Sequence, residues 1–119
     1  MNTVISDDEL LFRGVIEKFW DYEKNRPSSA IFKDSKGVSV DRSYDRIEAE
    51  CIIFLKNKRD FFKICSIKTE DVRKNQAVAL YKKLPDNIYH SEIHDSLEKV
   101  EIRGSKAKKL RDNLFRIYF

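Results

Sequence analysis

The apolar positions of this chain fall into short, differently spaced runs. Leu10-Leu11-Phe12-Arg13-Gly14-Val15-Ile16 comes first and reads two ways. Leu11, Val15 and Phe19, with Phe12, Ile16 and Trp20, repeat at i, i+4, and Ser6-x-x-Glu9 ahead of them has the form of a helical capping box. The same run is compact and carries an internal glycine, as a buried strand does. Residues 6–22 are therefore helix or strand. Asn25-Arg26-Pro27-Ser28-Ser29 is a loop, since Pro27 biases Arg26 away from helix. Ala30-Ile31-Phe32-Lys33 and the alternating Val38-Ser39-Val40-Asp41, joined by Asp34-Ser35-Lys36-Gly37, suggest a hairpin.

The later chain is clearer. A helix is expected from Ser43 or Asp45 to Lys58, with Tyr44, Ile47, Cys51, Phe54 and Leu55 on one stripe. Strands are expected over Phe61–Ile67, Ala77–Lys82 and Ile88–His94, with a short helical turn opening at Thr69-Glu70-Asp71 and a break at Leu84-Pro85-Asp86-Asn87. A last helix begins at Ser105, read as its N-cap after Gly104, with Leu110, Leu114 and Ile117 or Tyr118 as its apolar stripe. No internal repeat is visible. This order of elements predicts one α+β domain over residues 1–119, with an antiparallel sheet of about four to six strands and two main helices.

Composition adds bounds. The chain has 119 residues, 41% of them hydrophobic and 37% charged, with both signs interspersed. That is enough apolar material for one modest core and describes a solvated surface rather than a disordered chain. The two cysteines, Cys51 and Cys65, sit inside apolar runs and read as free, buried thiols of a reducing compartment. The acidic N-terminus is unlike a signal peptide, and no apolar run approaches the roughly 20 residues of a membrane span. A cytoplasmic protein with no membrane partner is expected. Charge is unevenly placed: residues 103–119 carry +5, the whole chain +4 and the remainder −1.

Four groups of residues can carry chemistry. In a strand over Tyr89–His94, the side chains of His90, Glu92 and His94 share one face. His90 and Glu92 are then candidate acid–base residues, and no complete metal-ligand set accompanies them. Arg13, flanked by apolar residues, needs an anionic partner if buried; that partner is a phosphate or carboxylate ligand, or an internal acid such as Glu92 or Asp41. Ser28 and Ser29, with Ser39, Asp41 and Arg42, are candidate ligand contacts, or else turn and cap residues. Lys106, Lys108, Lys109 and Arg111 crowd the start of the last helix, where the dipole disfavours cations, and so are candidate nucleic-acid contacts or simply a solvated face.

Arg13, Ser28-Ser29-x-x-Phe32-Lys33, Ser39-Val40-Asp41-Arg42 and Asn87-x-x-His90-x-Glu92, closed by Ser105-Lys-Ala-Lys-Lys-Leu110, resemble a pattern found in short bacterial proteins. That resemblance covers most of the chain, implies a strand at Arg13 and supplies no activity. Leu11-Phe12-Arg13-Gly14 is also similar to the first strand of the R-S-E type of ADP-ribosyltransferases, with Glu92 standing for the catalytic glutamate. The Ser-Thr-Ser signature and the Glu-x-Glu or Gln-x-Glu pair of that family are missing here; this chain has His90-x-Glu92.

The expected function is a phosphate-directed domain that binds a nucleotide or nucleic acid in a polar cleft, in the setting of a bacterial stress or phage-defence system. Two alternatives stand beside it: an enzyme on the same cleft, either ADP-ribosyltransferase-like or a small nuclease, and an accessory protein docking a partner through Phe19, Trp20 and Tyr22. The sequence names no cofactor.

Overall fold

The computed structural model describes residues 2–119. Among these residues eight strands and three α-helices form in chain order: β1 (Leu10–Val15), β2 (Trp20–Asp21), β3 (Arg26–Pro27), β4 (Val38–Arg42), α1 (Glu48–Lys58), β5 (Lys63–Lys68), α2 (Thr69–Lys74), β6 (Val78–Tyr81), β7 (His90–His94), α3 (Ser105–Asp112) and β8 (Arg116–Tyr118). Six of the strands make one antiparallel sheet, ordered β6-β7-β4-β1-β5-β8, while β2 and β3 pair separately. The fold is α+β.

The ambiguity at residues 6–22 resolves to strand over Leu10–Val15, followed by one 3-10 turn (Glu17–Phe19) and the short β2. Residues four apart share a face in a strand as well as in a helix, so the spacing of Leu11 and Val15 fits both. β1 is central in the sheet, paired along its whole length with β5, and covered on both faces. Only one half of the capping box forms: Ser6 N donates to Glu9 Oε2 (2.9 Å), whereas Glu9 N donates to the Ser6 carbonyl (3.1 Å) and not to its hydroxyl, which closes a turn and not a helix.

Two cores flank the sheet. Leu11, Val15, Val40, Cys65, Ile67 and Ile93 face one layer, closed by Ile31, Phe32, Ala107 and Leu110. Phe12 and Ile64 face the other and meet Cys51 and Leu55 of α1. α1 thus covers the β1–β5 side of that second face, and α3 packs against the first.

Three local expectations are corrected. Residues 30–33 are not a strand: Ser29–Phe32 form a 3-10 turn, with Ser28 Oγ accepting from Ala30 N, and consecutive Ile31 and Phe32 are both buried, which a turn allows and an alternating strand does not. β4 accordingly pairs with β1 and β7, not in a hairpin with 30–33. α1 starts at Glu48, because Tyr44 and Asp45 hold left-handed backbone angles (φ 36° and 57°) that no helix start tolerates. At the C-terminus, Gly104 rather than Ser105 is the N-cap of α3, the helix stops at Asp112, and Ile117 and Tyr118 belong to β8, which adds an edge to β5.

Candidate functional site

The sheet splits at its centre. β1 and β4 pair only at Leu11–Arg42 and Phe12–Asp41. Beyond that point β1 stays with β5 as far as Val15–Lys63, and β4 stays with β7 as far as Val38–Ile93. Arg13 occupies the opening. Its Nε donates to the Ile31 carbonyl of the 3-10 turn (2.7 Å) and its Nη1 to the Ser39 carbonyl of β4 (2.8 Å), so the guanidinium ties β1 to β4 and to the turn where the ladder has ended. Burial draws the pKa of Arg13 below its ordinary value, with Cys65 and Asp34 pulling the other way. Arginine nevertheless remains charged at any working pH. Among the described residues no carboxylate lies in ion-pair range of this guanidinium, and Nη2 has no hydrogen-bond partner.

The split widens into a cleft of about 520 Å³. One wall is apolar: Phe12, Leu55 and Phe61. The other is polar: Arg13, Ser39, Asp41, Asn87 and His90. Lys58 and Arg59, from the end of α1, stand at the rim, with Asp86 and Asp34. Gly14 lets the Phe61 ring lie directly on β1; a β-carbon there would come within 2.3 Å of the ring.

Asp41 is 3% exposed, and its two oxygens differ. Oδ1 accepts from Asn87 Nδ2 (2.8 Å), whereas the buried Oδ2 has no partner. Burial raises the pKa of Asp41, against the opposing pull of the Asn87 hydrogen bond and of Arg46, Lys58 and His90. A buried carboxylate oxygen left unpaired in a cleft is a costly arrangement and a common mark of a functional site.

His90 lies beside Asp41 in the β4–β7 register. Its Nδ1 is 2.7 Å from the Lys82 carbonyl and its Nε2 is 3.3 Å from Ser39 Oγ.

The expected site residues separate cleanly. Arg13, Asp41 and His90 meet in the cleft. Arg42 does not: it is fully buried away from it, with Nε and Nη2 on the Glu9 carboxylate (2.9 and 2.7 Å). Ser28 caps the 3-10 turn and Ser29 opens it, and neither lines the cleft. Glu92 accepts from His94 Nε2 (2.8 Å) next to Gly37 and lies outside the lining too, so the Arg–Glu pair of the transferase resemblance is not assembled there. Among the described residues no three His, Cys, Asp or Glu side chains could hold a metal ion together.

The basic helix is partly consumed by its own fold. Lys106 pairs with Asp95 (2.9 Å) and donates to the Gln76 carbonyl, and Arg111 is turned to Asp112 and the Pro27 carbonyl. Lys108 and Lys109 remain exposed. None of the four lines the cleft. Trp20, half-buried, packs edge-on to Phe62, as does the exposed Tyr22.

Sequence reasoning missed Lys58, Arg59 and Phe61, and noted Asn87 only as part of a break and a pattern. Lys56-Asn57-Lys58-Arg59 was a usable signal only as a local cluster of cations, because basic residues in a last helical turn are ordinary on dipole grounds alone. Both cysteines are free and buried, and burial pushes the Cys65 thiol up to about 12, so neither offers a nucleophile. Among the described residues no helix is long and apolar enough to cross a membrane. No protein-family model, curated protein or solved structure matches the chain.

Proposed function

We propose that the central cleft binds a phosphorylated ligand of nucleotide size. The observation that carries this reading is Arg13: a half-buried guanidinium with no carboxylate partner, held by two backbone carbonyls at the edge of a cavity. Burying a cation without a counter-charge is expensive, and a bound anion removes the expense. Lys58 and Arg59 add two further cations at the rim. Phosphate fits such a donor set because guanidinium and ammonium groups bind its oxygens through charge-assisted hydrogen bonds.

The apolar wall argues for a nucleoside rather than phosphate alone. The half-buried Phe61 ring offers a face for a planar ring, backed by the buried Phe12 and Leu55, and Asn87, Ser39 and Asp41 offer polar groups for orienting it. The cavity volume lies within the usual range for small-molecule sites. A single nucleotide is favoured over a long nucleic acid, because Lys108 and Lys109 lie on a helix that packs with the opposite core and contributes nothing to the cleft.

Calorimetric titration with the common nucleoside 5′-monophosphates, the matching nucleosides and inorganic phosphate tests the reading. At least one monophosphate is expected to bind more tightly than its nucleoside and than phosphate, with affinity falling as salt rises. Failure of every monophosphate to bind at low salt would overturn it.

A further inference from the structure

His90 is held in a way that a merely solvent-facing histidine is not. The Lys82 carbonyl can only accept, so the proton of the neutral imidazole sits on Nδ1 (2.7 Å). Nε2 is thereby left as an acceptor, and the group in front of it is the Ser39 hydroxyl (3.3 Å). The two residues come from neighbouring strands, on diagonal positions of one sheet face, since His90 pairs with Asp41 and Ser39 with Glu92. Ser39 is exposed and lines the cleft, and its own carbonyl receives Arg13 Nη1 (2.8 Å), which places a cation beside the hydroxyl. A hydroxyl, a base within reach of its proton and a third group fixing the tautomer of that base make up the arrangement of an activated nucleophile.

We infer that Ser39 and His90 form a nucleophile–base dyad acting on phosphate esters, with Lys82 as the positioning carbonyl and Arg13 as the cation that stabilises charge on the phosphoryl group. This inference rests on the reading of the cleft as a phosphate site. In the first step Ser39 Oγ attacks phosphorus and its proton passes to His90 Nε2. The bond from phosphorus to the leaving oxygen breaks with its electron pair, and the imidazolium returns the proton to that oxygen. In the second step water attacks the phosphoserine, His90 takes the water proton, and Ser39 Oγ leaves and recovers it. The net reaction consumes one water and releases an alcohol and phosphate. Glu92, expected to orient His90, takes no part, because it is engaged with His94.

A fluorophosphonate probe tests the dyad without knowledge of the natural substrate. Attack by Ser39 Oγ forms the oxygen–phosphorus bond, expels fluoride and gives a fixed mass gain that peptide mapping assigns. Wild-type protein is expected to be labelled once, at Ser39. Ser39→Ala should lose the label while keeping the wild-type amide spectrum. His90→Asn should slow labelling by about 100-fold or more, the usual weight of a general base. Ser28→Ala should label at the wild-type rate. Absence of label on Ser39, or undiminished labelling of His90→Asn, overturns the dyad. Titration of the same samples with nucleoside monophosphates separates the two ideas. Binding without labelling removes the dyad and leaves the cleft reading standing; labelling without any nucleotide affinity supports the dyad and removes the nucleotide reading.

Discussion

Glu9→Gln is the sharpest test of how the fold is held. Arg42 and Glu9 are buried together, with side chains 1% and 9% exposed. The carboxylate receives Arg42 Nε (2.9 Å) and Nη2 (2.7 Å), the amides of Ser6 (2.9 Å) and Tyr44 (3.1 Å), and more distantly Ser6 Oγ (3.3 Å). Arg42 in turn reaches the carbonyls of Asn2 and Val4 and lies over the Tyr44 and Tyr81 rings. Glutamine keeps the shape but removes the charge, and its amide turns two donors toward groups that are themselves donors. Breaking one side of a buried pair costs about 3–5 kcal/mol. Against a total stability of roughly 5–15 kcal/mol, that is a large fraction. In a domain of this size it corresponds to a fall in Tm on the order of 10–20 °C. Urea unfolding followed by circular dichroism measures it directly. The effect should shrink in acid. Desolvation alone would raise the pKa of Glu9, but the hydrogen bonds and charge of Arg42, with the Ser6 and Tyr44 amides, bring the net shift downward. The stabilisation is therefore complete above the unfolded glutamate value and lost as pH falls through the folded one. A neutral-pH loss below about 1 kcal/mol would refute the reasoning.

Two further outcomes follow from the cleft. Asp41→Asn should raise Tm at pH 7, because burial lifts the pKa of Asp41 above its unfolded value: the native state gains stability from protonation, and that gain is lost as pH rises from about 4 through the folded-state pKa. Melts at pH 4 and pH 7 check it, and an advantage confined to pH 4 would contradict it. Gly14→Ala should cost about 1–3 kcal/mol and weaken ligand binding, since the new β-carbon displaces the Phe61 ring from β1 and into the cleft; calorimetry that shows unchanged affinity would sink this account of the cleft wall.

Much of the architecture was legible because the later elements carry one clear period each. β5, β6 and β7 fall where the apolar runs do, and Gly104 marks the entry to α3. The start of the chain was not, for a reason visible in β1: its apolar residues at i and i+4 satisfy strand and helix alike, and only burial on both faces decides. Ile31 and Phe32 misled in another way, since two adjacent apolar residues signal a strand but pack equally well in a tight turn. Non-local pairing is what sequence could not show. That β4 parts from β1 after two residue pairs, and that Arg13 fills the gap, depends on contacts across 26 positions of chain. The same limit hid the division of labour between arginines: Arg13 sits among apolar neighbours and Arg42 between Asp41 and Ser43, yet it is Arg42 that finds a buried internal acid, Glu9, from 33 positions away.

The central claim is that an anion completes Arg13 in the split between β1 and β4. The most direct measurement is amide and arginine side-chain chemical-shift mapping by NMR during titration with a nucleoside 5′-monophosphate. The account predicts that the largest shifts fall on the Arg13 Nε–H and on the amides of Gly14, Ser39, Arg59, Phe61 and His90. Shifts clustered instead on residues 105–111, with the Arg13 signal unmoved, would contradict it.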